Sequence, residues 1–250
     1  MRGCAGRHRC SGMPLSRFRV ARVGSQWDDP NMGIESGVEL ESARVTRILR
    51  DDIMLGRRPP GARLVERDIA RELSVSRLPV REAIKALVQE GIVITRPRSW
   101  AVVREFTTKD IVDFSEVRAA LETLAFVLAA ERHDEEGARL LHDILQREED
   151  AARAGDVEGA RVAAARFHTA AVELADNAGL EELARVFVTR LRWLFGQHDA
   201  LFDMADEHRE ILAAMTSRDV DTLRELIPQH LERGRKAAER RLRERAVSSI

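Results

Sequence analysis

Apolar residues recur at helical spacing through Val45, Ile48, Leu49 and Ile53, which predicts a short first helix. The period stops at "PPG" (59–61), where Pro60 and Gly61 suit the two central positions of a tight turn. "ERDIAREL" (66–73) predicts a second short helix and "SVS" a tight connection. "SRLPVREAIKAL" (76–87) then opens a helix that runs to about Glu90 and ends at Gly91. "IVIT" and "WAVV", joined by "RPRS", read as two short strands and a turn. From Thr107 onward the pattern is helical throughout. Helices are predicted near 108–132, 134–154, 156–177, 179–203, 205–217 and 219–246, with breaks at "HDEE", "AGD", "NAG", "DMAD" and "SRDVD". Pro228 is the one internal proline of these helices. Asn177 and Gly179 mark a helix end, because both tolerate left-handed geometry. Ile111, Phe114, Val117, Leu121, Leu124 and Leu128 form a stripe along the first long helix.

The helix at 76–90 carries the first functional signal. Ser76 suits the N-cap, where a hydroxyl can accept from an otherwise unpaired amide. Pro79 falls in the first turn, where a missing N–H costs nothing, so it marks the helix start rather than breaking the helix. Val80, Ala83, Ile84 and Leu87 share one arc, and Arg77, Arg81 and Lys85 share the next. Such a basic stripe is either a solvated face or a reading head, since a DNA major groove admits an α-helix and Arg can bond guanine O6 and N7 together. The preceding helix, the tight turn and the following hairpin favour the reading head. Together they make a winged helix-turn-helix. The predicted fold is mainly α: an N-terminal winged helix-turn-helix with a small β-hairpin wing, then an all-α bundle of about six helices.

Charge divides the chain in the same place. Residues 1–22, 23–41, 42–104 and 105–250 carry net charges of +6, −5, +7 and −9, so the basic module is the one expected to meet a polyanion. With only three lysines, Lys85, Lys109 and Lys236, arginine abundance alone says little; its placement matters. Aromatic residues make up 4% of the chain, which argues against stacking on single-stranded RNA. No apolar run approaches the roughly 18 residues of a membrane span. Both cysteines, Cys4 and Cys10, lie in the first 40 residues without a CxxC pattern, so neither a disulfide framework nor a zinc ribbon is expected. A reducing, cytoplasmic setting follows. Residues 1–40 lack a hydrophobic period and read as a disordered basic tail, or as an upstream extension if the natural start is Met13 or Met32.

The stretch "PPGARLVERDIARELSVSRLPVREAIKALVQEGIVITRPRSWAVV" resembles the winged helix-turn-helix of the GntR family of bacterial transcription regulators. The resemblance covers essentially all of 41–104 and implies contacts to double-stranded operator DNA from Arg67, Ser76, Arg77 and Arg81, and from the wing residues Arg96, Arg98 and Ser99. Ser74 stands where the family has a turn glycine, a position that often takes positive φ, so it should cost some stability. Trp100 stands where a wing-tip glycine is common.

"DFSEVRAALETLA" (113–125) resembles the first helix of the FCD effector domain of FadR-type members, with the signature R-x-x-L-E at Arg118, Leu121 and Glu122. That resemblance implies a helical effector-binding and dimerisation domain over 105–250, a small carboxylic-acid effector, and an Arg118 that reaches the effector cavity. A plain surface pair is the competing reading of Arg118 and Glu122, one turn apart. Of the seven histidines, His168, His208 and His230 stand on predicted helices among apolar neighbours. Three converging imidazoles can hold a divalent metal such as Zn or Ni. Buried histidines satisfied by hydrogen bonds are the alternative. Metal-binding FCD domains resemble D-x-x-x-H followed by two later histidines; all three histidines match, while Ala164 occupies the aspartate position. The reading is a ligand-responsive, homodimeric DNA-binding regulator, a repressor by expectation, with no membrane partner. Its effector site comprises Arg118, His168, His208 and His230, and no residue is catalytic. The competing reading is a metal-dependent enzyme with a three-histidine site and an accessory DNA module; no H-E-x-x-H or G-x-S-x-G motif supports it.

Overall fold

A computed structural model describes residues 39–95, 100–197 and 200–248. The predicted basic tail and the wing residues Arg96, Arg98 and Ser99 lie outside the described residues. The elements run α1 (Glu41–Met54), β1 (Arg63–Leu64), α2 (Glu66–Glu72), α3 (Arg77–Gln89), β2 (Val93–Thr95), β3 (Ala101–Val103), α4 (Thr108–Arg132), α5 (Glu135–Ala154), α6 (Val157–Leu174), α7 (Ala178–Phe195), α8 (Leu201–Thr216) and α9 (Val220–Ser248).

The DNA-binding portion forms as its pattern predicts. Ala62 N donates to Pro59 O at 3.0 Å with Gly61 at φ +79°, so Pro60 and Gly61 take the centre of the turn. Ser74 adopts φ +54°, the strained position expected for a residue replacing glycine. Gly91, at φ +74°, ends the helix after α3. The predicted two-stranded hairpin is a three-stranded sheet of order β1-β3-β2, both pairs antiparallel, with Arg63 opposite Val102 and Val93 opposite Val103. The extra strand is two residues long, too short to leave a period in the sequence.

Three boundaries differ from the pattern. The helix predicted over 179–203 ends at Phe195, and the next begins at Leu201 rather than 205. The predicted break "DMAD" lies inside α8, with Met204 and Ala205 buried. The actual break falls at Gly196 and Gln197, where Gln197 Nε2 donates to Met54 O at 3.0 Å. Asn177 opens α7 instead of closing α6: its φ is −134° and its side chain accepts from Leu180 N at 3.1 Å. Asp176 takes the left-handed position at φ +44°. On α4 the apolar stripe is only partly buried: Ile111 is inside. Val117 and Leu124 are 42% and 45% exposed, while Arg118, Glu122, Phe126, Ala129 and Ala130 are buried. The interior accepts these charges because they satisfy each other.

Two apolar cores matter for function. One joins α1, α3 and the sheet to Trp193, Leu194 and Phe195 at the end of α7 and to Ala238 of α9. The other packs Phe126, Phe167, Ile211, Met215 and Ile227 from α4, α6, α8 and α9. Among the described residues, no helix is long and apolar enough to cross a membrane.

Candidate nucleic-acid interface and metal centre

The buried arc of α3 is the predicted one, Val80, Ala83, Ile84 and Leu87. Arg77 and Arg81 stand on its exposed flank, their side chains 64% and 51% exposed. Ser76 is the N-cap, but its side chain makes no capping hydrogen bond. Pro79 supplies the reason: it occupies the third helical position and has no N–H for the hydroxyl to accept from. A partner of the arginines escaped the sequence reading. Glu66, at the start of α2, accepts from Arg81 Nε and Nη2 at 3.0 Å each, and lies 3.5 Å from Arg77 Nη2. Hydrogen bonding from Arg81, and then Arg77, holds the Glu66 carboxyl below its usual range. Arg67 is highly exposed and 3.3 Å from Asp68. Trp100, at the base of the wing, is half exposed with the Arg63 guanidinium 4.2 Å from its ring centroid.

The three predicted histidines converge. His168 comes from α6, His208 from α8 and His230 from α9, with ring centroids 4.9–5.2 Å apart. One ring nitrogen from each lies within 4.8 Å of the others. Each Nδ1 faces a carboxylate: Glu122 Oε2 at 2.8 Å from His168, Glu148 Oε2 at 2.8 Å from His208, and Glu207 Oε2 at 2.7 Å from His230. Where such a carboxylate is ionised it only accepts, which would place the N–H on Nδ1 and turn the Nε2 lone pair toward the other rings. Nε2 of His168 and Nε2 of His230 then face each other at 3.3 Å. Nε2 of His208 is buried without a hydrogen-bond partner. Three ring nitrogens converging in this way could hold a cation. Two nitrogens on a tetrahedral Zn stand about 3.3 Å apart when each Zn–N bond is about 2.0–2.1 Å.

Glu148 and Glu207 carried different sequence signals. Glu148 falls on the buried arc of α5, in step with Leu141, Ile144, Leu145 and Ala152, and a carboxylate on an apolar arc demands a partner. Glu207 is adjacent to His208 in sequence yet serves His230, which no local pattern announces. Ala164 is buried one turn before His168 and lines a cavity of about 10 Å³ with Glu148, Ala160, Arg161, Leu201 and Met204. That volume admits roughly one water. Arg118 is not the surface pair weighed above. It is 7% exposed, its Nε donates to Glu122 Oε1 at 2.7 Å, and its guanidinium lies 5.1 Å from the Phe195 ring centroid.

Burial alone would raise the Glu122 carboxyl, but Arg118, followed by His168, outweighs it and holds the group down at about 2. Burial pushes His168 below its ordinary value of 6.5, against the pull of Glu122, so this ring is neutral at pH 7 and suited to ligation. Burial raises Glu207 against the opposing effect of Arg233. The lowered His168 contributes stability that is present above 6.5 and lost as pH falls through its folded value; the lowered Glu122 adds a second loss between 4.5 and about 2. Glu207 acts in the opposite sense, its contribution lost as pH rises. For the metal-free chain, the denaturant midpoint is therefore expected to drop between pH 7.5 and 5.5. A midpoint that is flat or rising over this range in a Glu207→Gln chain, where the opposing contribution is gone, would count against a buried neutral His168.

Comparison with known proteins places both regions. Residues 41–103 match the family described as bacterial regulatory proteins, gntR family, and residues 113–233 match the FCD domain. The chain is 29% identical over 206 residues to the "Probable D-xylose utilization operon transcriptional repressor" of Paenarthrobacter nicotinovorans, covering 78% of this chain and 91% of that protein. It is 27% identical over 194 residues to the HTH-type transcriptional repressor RspR of Escherichia coli K12, covering 76% and 85%. The solved structure of Escherichia coli McbR/YncC shares the fold, with a TM-score of 0.70 at 22% identity, covering 81% of this chain and 98% of that one.

Proposed function

From the premise that this chain belongs to the GntR family of bacterial regulatory proteins and carries an FCD domain, we propose a metal-dependent, carboxylate-responsive repressor acting as a homodimer. The chain is a DNA-binding transcriptional regulator; the family and the relatives are regulators, which sets aside the enzyme reading. Our division is a reading module over 41–104 and an effector and dimerisation domain over 105–250, in a cytoplasmic protein.

The observation that carries the metal reading is the pair of Nε2 atoms facing each other at 3.3 Å, each ring backed by a carboxylate on Nδ1. His168, His208 and His230 would hold a Zn or Ni ion, which supplies a positive centre for an anionic ligand. Glu122, Glu148 and Glu207 orient the rings and raise their basicity. With Ala164 in place of a carboxylate, the protein contributes three neutral ligands and leaves room for a carboxylate from the effector. Arg118 completes the predicted effector set. In our reading it acts from beneath the cluster, because Glu122 occupies its guanidinium.

Pairing of two chains is supported by the exposed apolar residues Val117 and Leu124 of α4 and Leu183 and Val186 of α7. Two copies joined there would present two α3 helices to successive half-sites of a pseudo-palindromic operator.

A thermal-shift screen of small carboxylic acids, each with and without Zn or Ni, tests the reading. Stabilisation by an acid only when metal is present is the expected result. Ala164→Asp is expected to tighten metal binding about tenfold or more and to weaken the response to the acid, because the new carboxylate competes for the open position. Acids that stabilise equally with and without metal would exclude the metal from effector binding.

A further inference from the structure

We propose that the C-terminal half of α7 transmits the state of the histidine cluster to the recognition helix, with Arg118 and Arg190 as the positioning residues at its two ends. This rests on the metal reading above. At the cluster end, one carboxylate serves two masters. Glu122 Oε2 lies 2.8 Å from His168 Nδ1, and Glu122 Oε1 accepts from Arg118 Nε at 2.7 Å. With a cation held on Nε2, an Nδ1–H of His168 would be a stronger donor, and Glu122 would shift toward the ring at the expense of Arg118. The Arg118 guanidinium lies 5.1 Å from the ring centroid of Phe195, the last residue of α7. Phe195 is buried in the same apolar core as Val80 and Leu87 of α3.

The other end of this segment grips the DNA module directly. Arg190 Nε donates to Glu90 O at 2.8 Å, the carbonyl that caps α3. A helix C-terminus favours a cation. Gly91 makes the contact possible, because a Cβ there would lie 2.2 Å from Arg190 Nε. Five residues along the chain from Phe195, Arg190 thus holds the tail of the helix whose head carries Arg77 and Arg81. Gln197, just beyond α7, holds the end of α1 through Met54 O. A rotation or slide of α7 driven at Phe195 must shift α3 through Arg190, since close-packed contacts do not stretch.

The competing explanation is that these contacts only glue the two modules together. Glue would alter stability or DNA affinity regardless of metal; a relay alters the dependence of one site on the other. The test uses the full-length chain, Zn alone, and a duplex recovered by selection from a random library. In the wild type, DNA affinity is expected to differ about tenfold between Zn-loaded and chelator-treated protein, with Zn affinity differing by the same factor with and without DNA. Arg190→Gln, which is far from the cluster, should bind Zn as the wild type does while the Zn effect on DNA affinity falls below twofold. Arg190→Lys, which keeps the cation, should restore part of it. Arg118→Met should also lower the Zn effect on DNA affinity, read at Zn concentrations that saturate that variant, because losing the partner of Glu122 changes Zn affinity as well. A wild-type Zn effect retained in both Arg190→Gln and Arg118→Met overturns the relay. Zn binding with no effect on DNA in the wild type also overturns the relay and leaves the metal site standing. A wild type that takes up no Zn overturns the metal reading and the relay together.

Discussion

Replacing both Arg77 and Arg81 by Ala is expected to reduce operator affinity to the level of random DNA while leaving the fold intact. Both side chains are mostly exposed, and neither belongs to the arc that anchors α3 in the core. Their loss therefore removes surface charge without opening a cavity. In a groove each Arg can make a two-pronged bond to guanine, worth ~1–3 kcal/mol of discrimination, so losing both accounts for most of a typical specificity ratio. Glu66 sharpens the expectation. It already fixes the Arg81 guanidinium by two bonds and draws in Arg77, so the pair meets DNA pre-positioned rather than mobile. Glu66→Gln should therefore weaken specific binding although it removes a negative charge from the surface. The measurement is a pair of titrations, on the selected duplex and on a scrambled one, across salt concentration. Where the arginines read bases, the ratio between the two duplexes collapses. Where they touch only phosphate, the ratio survives and the salt slope falls by about 0.9 per lost contact. A double variant that keeps the wild-type ratio would falsify the docking of α3 in the groove.

The second large effect is at His208. In the wild type, Zn at a thousand times its dissociation constant is expected to add about 4 kcal/mol to stability. For a chain of this size that is roughly 8–16 °C of Tm. His208→Ala should abolish the Zn-dependent shift. The baseline will fall too, because the ring stacks on Phe167 at 4.7 Å and its loss strands Glu148, which is 1% exposed. A buried carboxylate left unpaired costs ~1–3 kcal/mol or more. The diagnostic quantity is therefore the Zn-dependent change within each variant, not Tm itself. Direct metal analysis of protein prepared without chelator gives the independent check. A His208→Ala chain that keeps the wild-type Zn shift would place any metal elsewhere.

Much of the DNA-reading module was legible without coordinates. Helix α3, its first turn marked by Pro79, its stop before Gly91 and its buried and basic arcs depend on neighbours three or four residues away, and such local rules leave a readable trace. Ser76 caps the helix as expected, but without its hydrogen bond, since the third helical residue is a proline and has no amide N–H to offer. The three histidines stand out by their apolar neighbours, but spacing alone joins them only weakly because they come from three helices; the family resemblance strengthens the set.

Other features left no trace that a local rule could follow. The apolar period runs on through Leu194 and Phe195 to Leu201 and Phe202, so nothing in it announces the break at Gly196; docking of Gln197 on the end of α1 makes that break. The stripe on α4 is only partly the buried face, because beside it two charges that pair with each other and with His168 are admitted where lone charges would not be. The carboxylates behind the histidines lie 60 residues away from His208 and 23 from His230, so only the packed bundle assigns them. The amino-acid order thus specifies most of its helices, its turn and the buried and basic arcs of α3, which answer to short-range backbone and periodicity constraints. The packed chain chooses the partners of its buried charges and the contacts between its two halves, because those depend on which surfaces exclude water together.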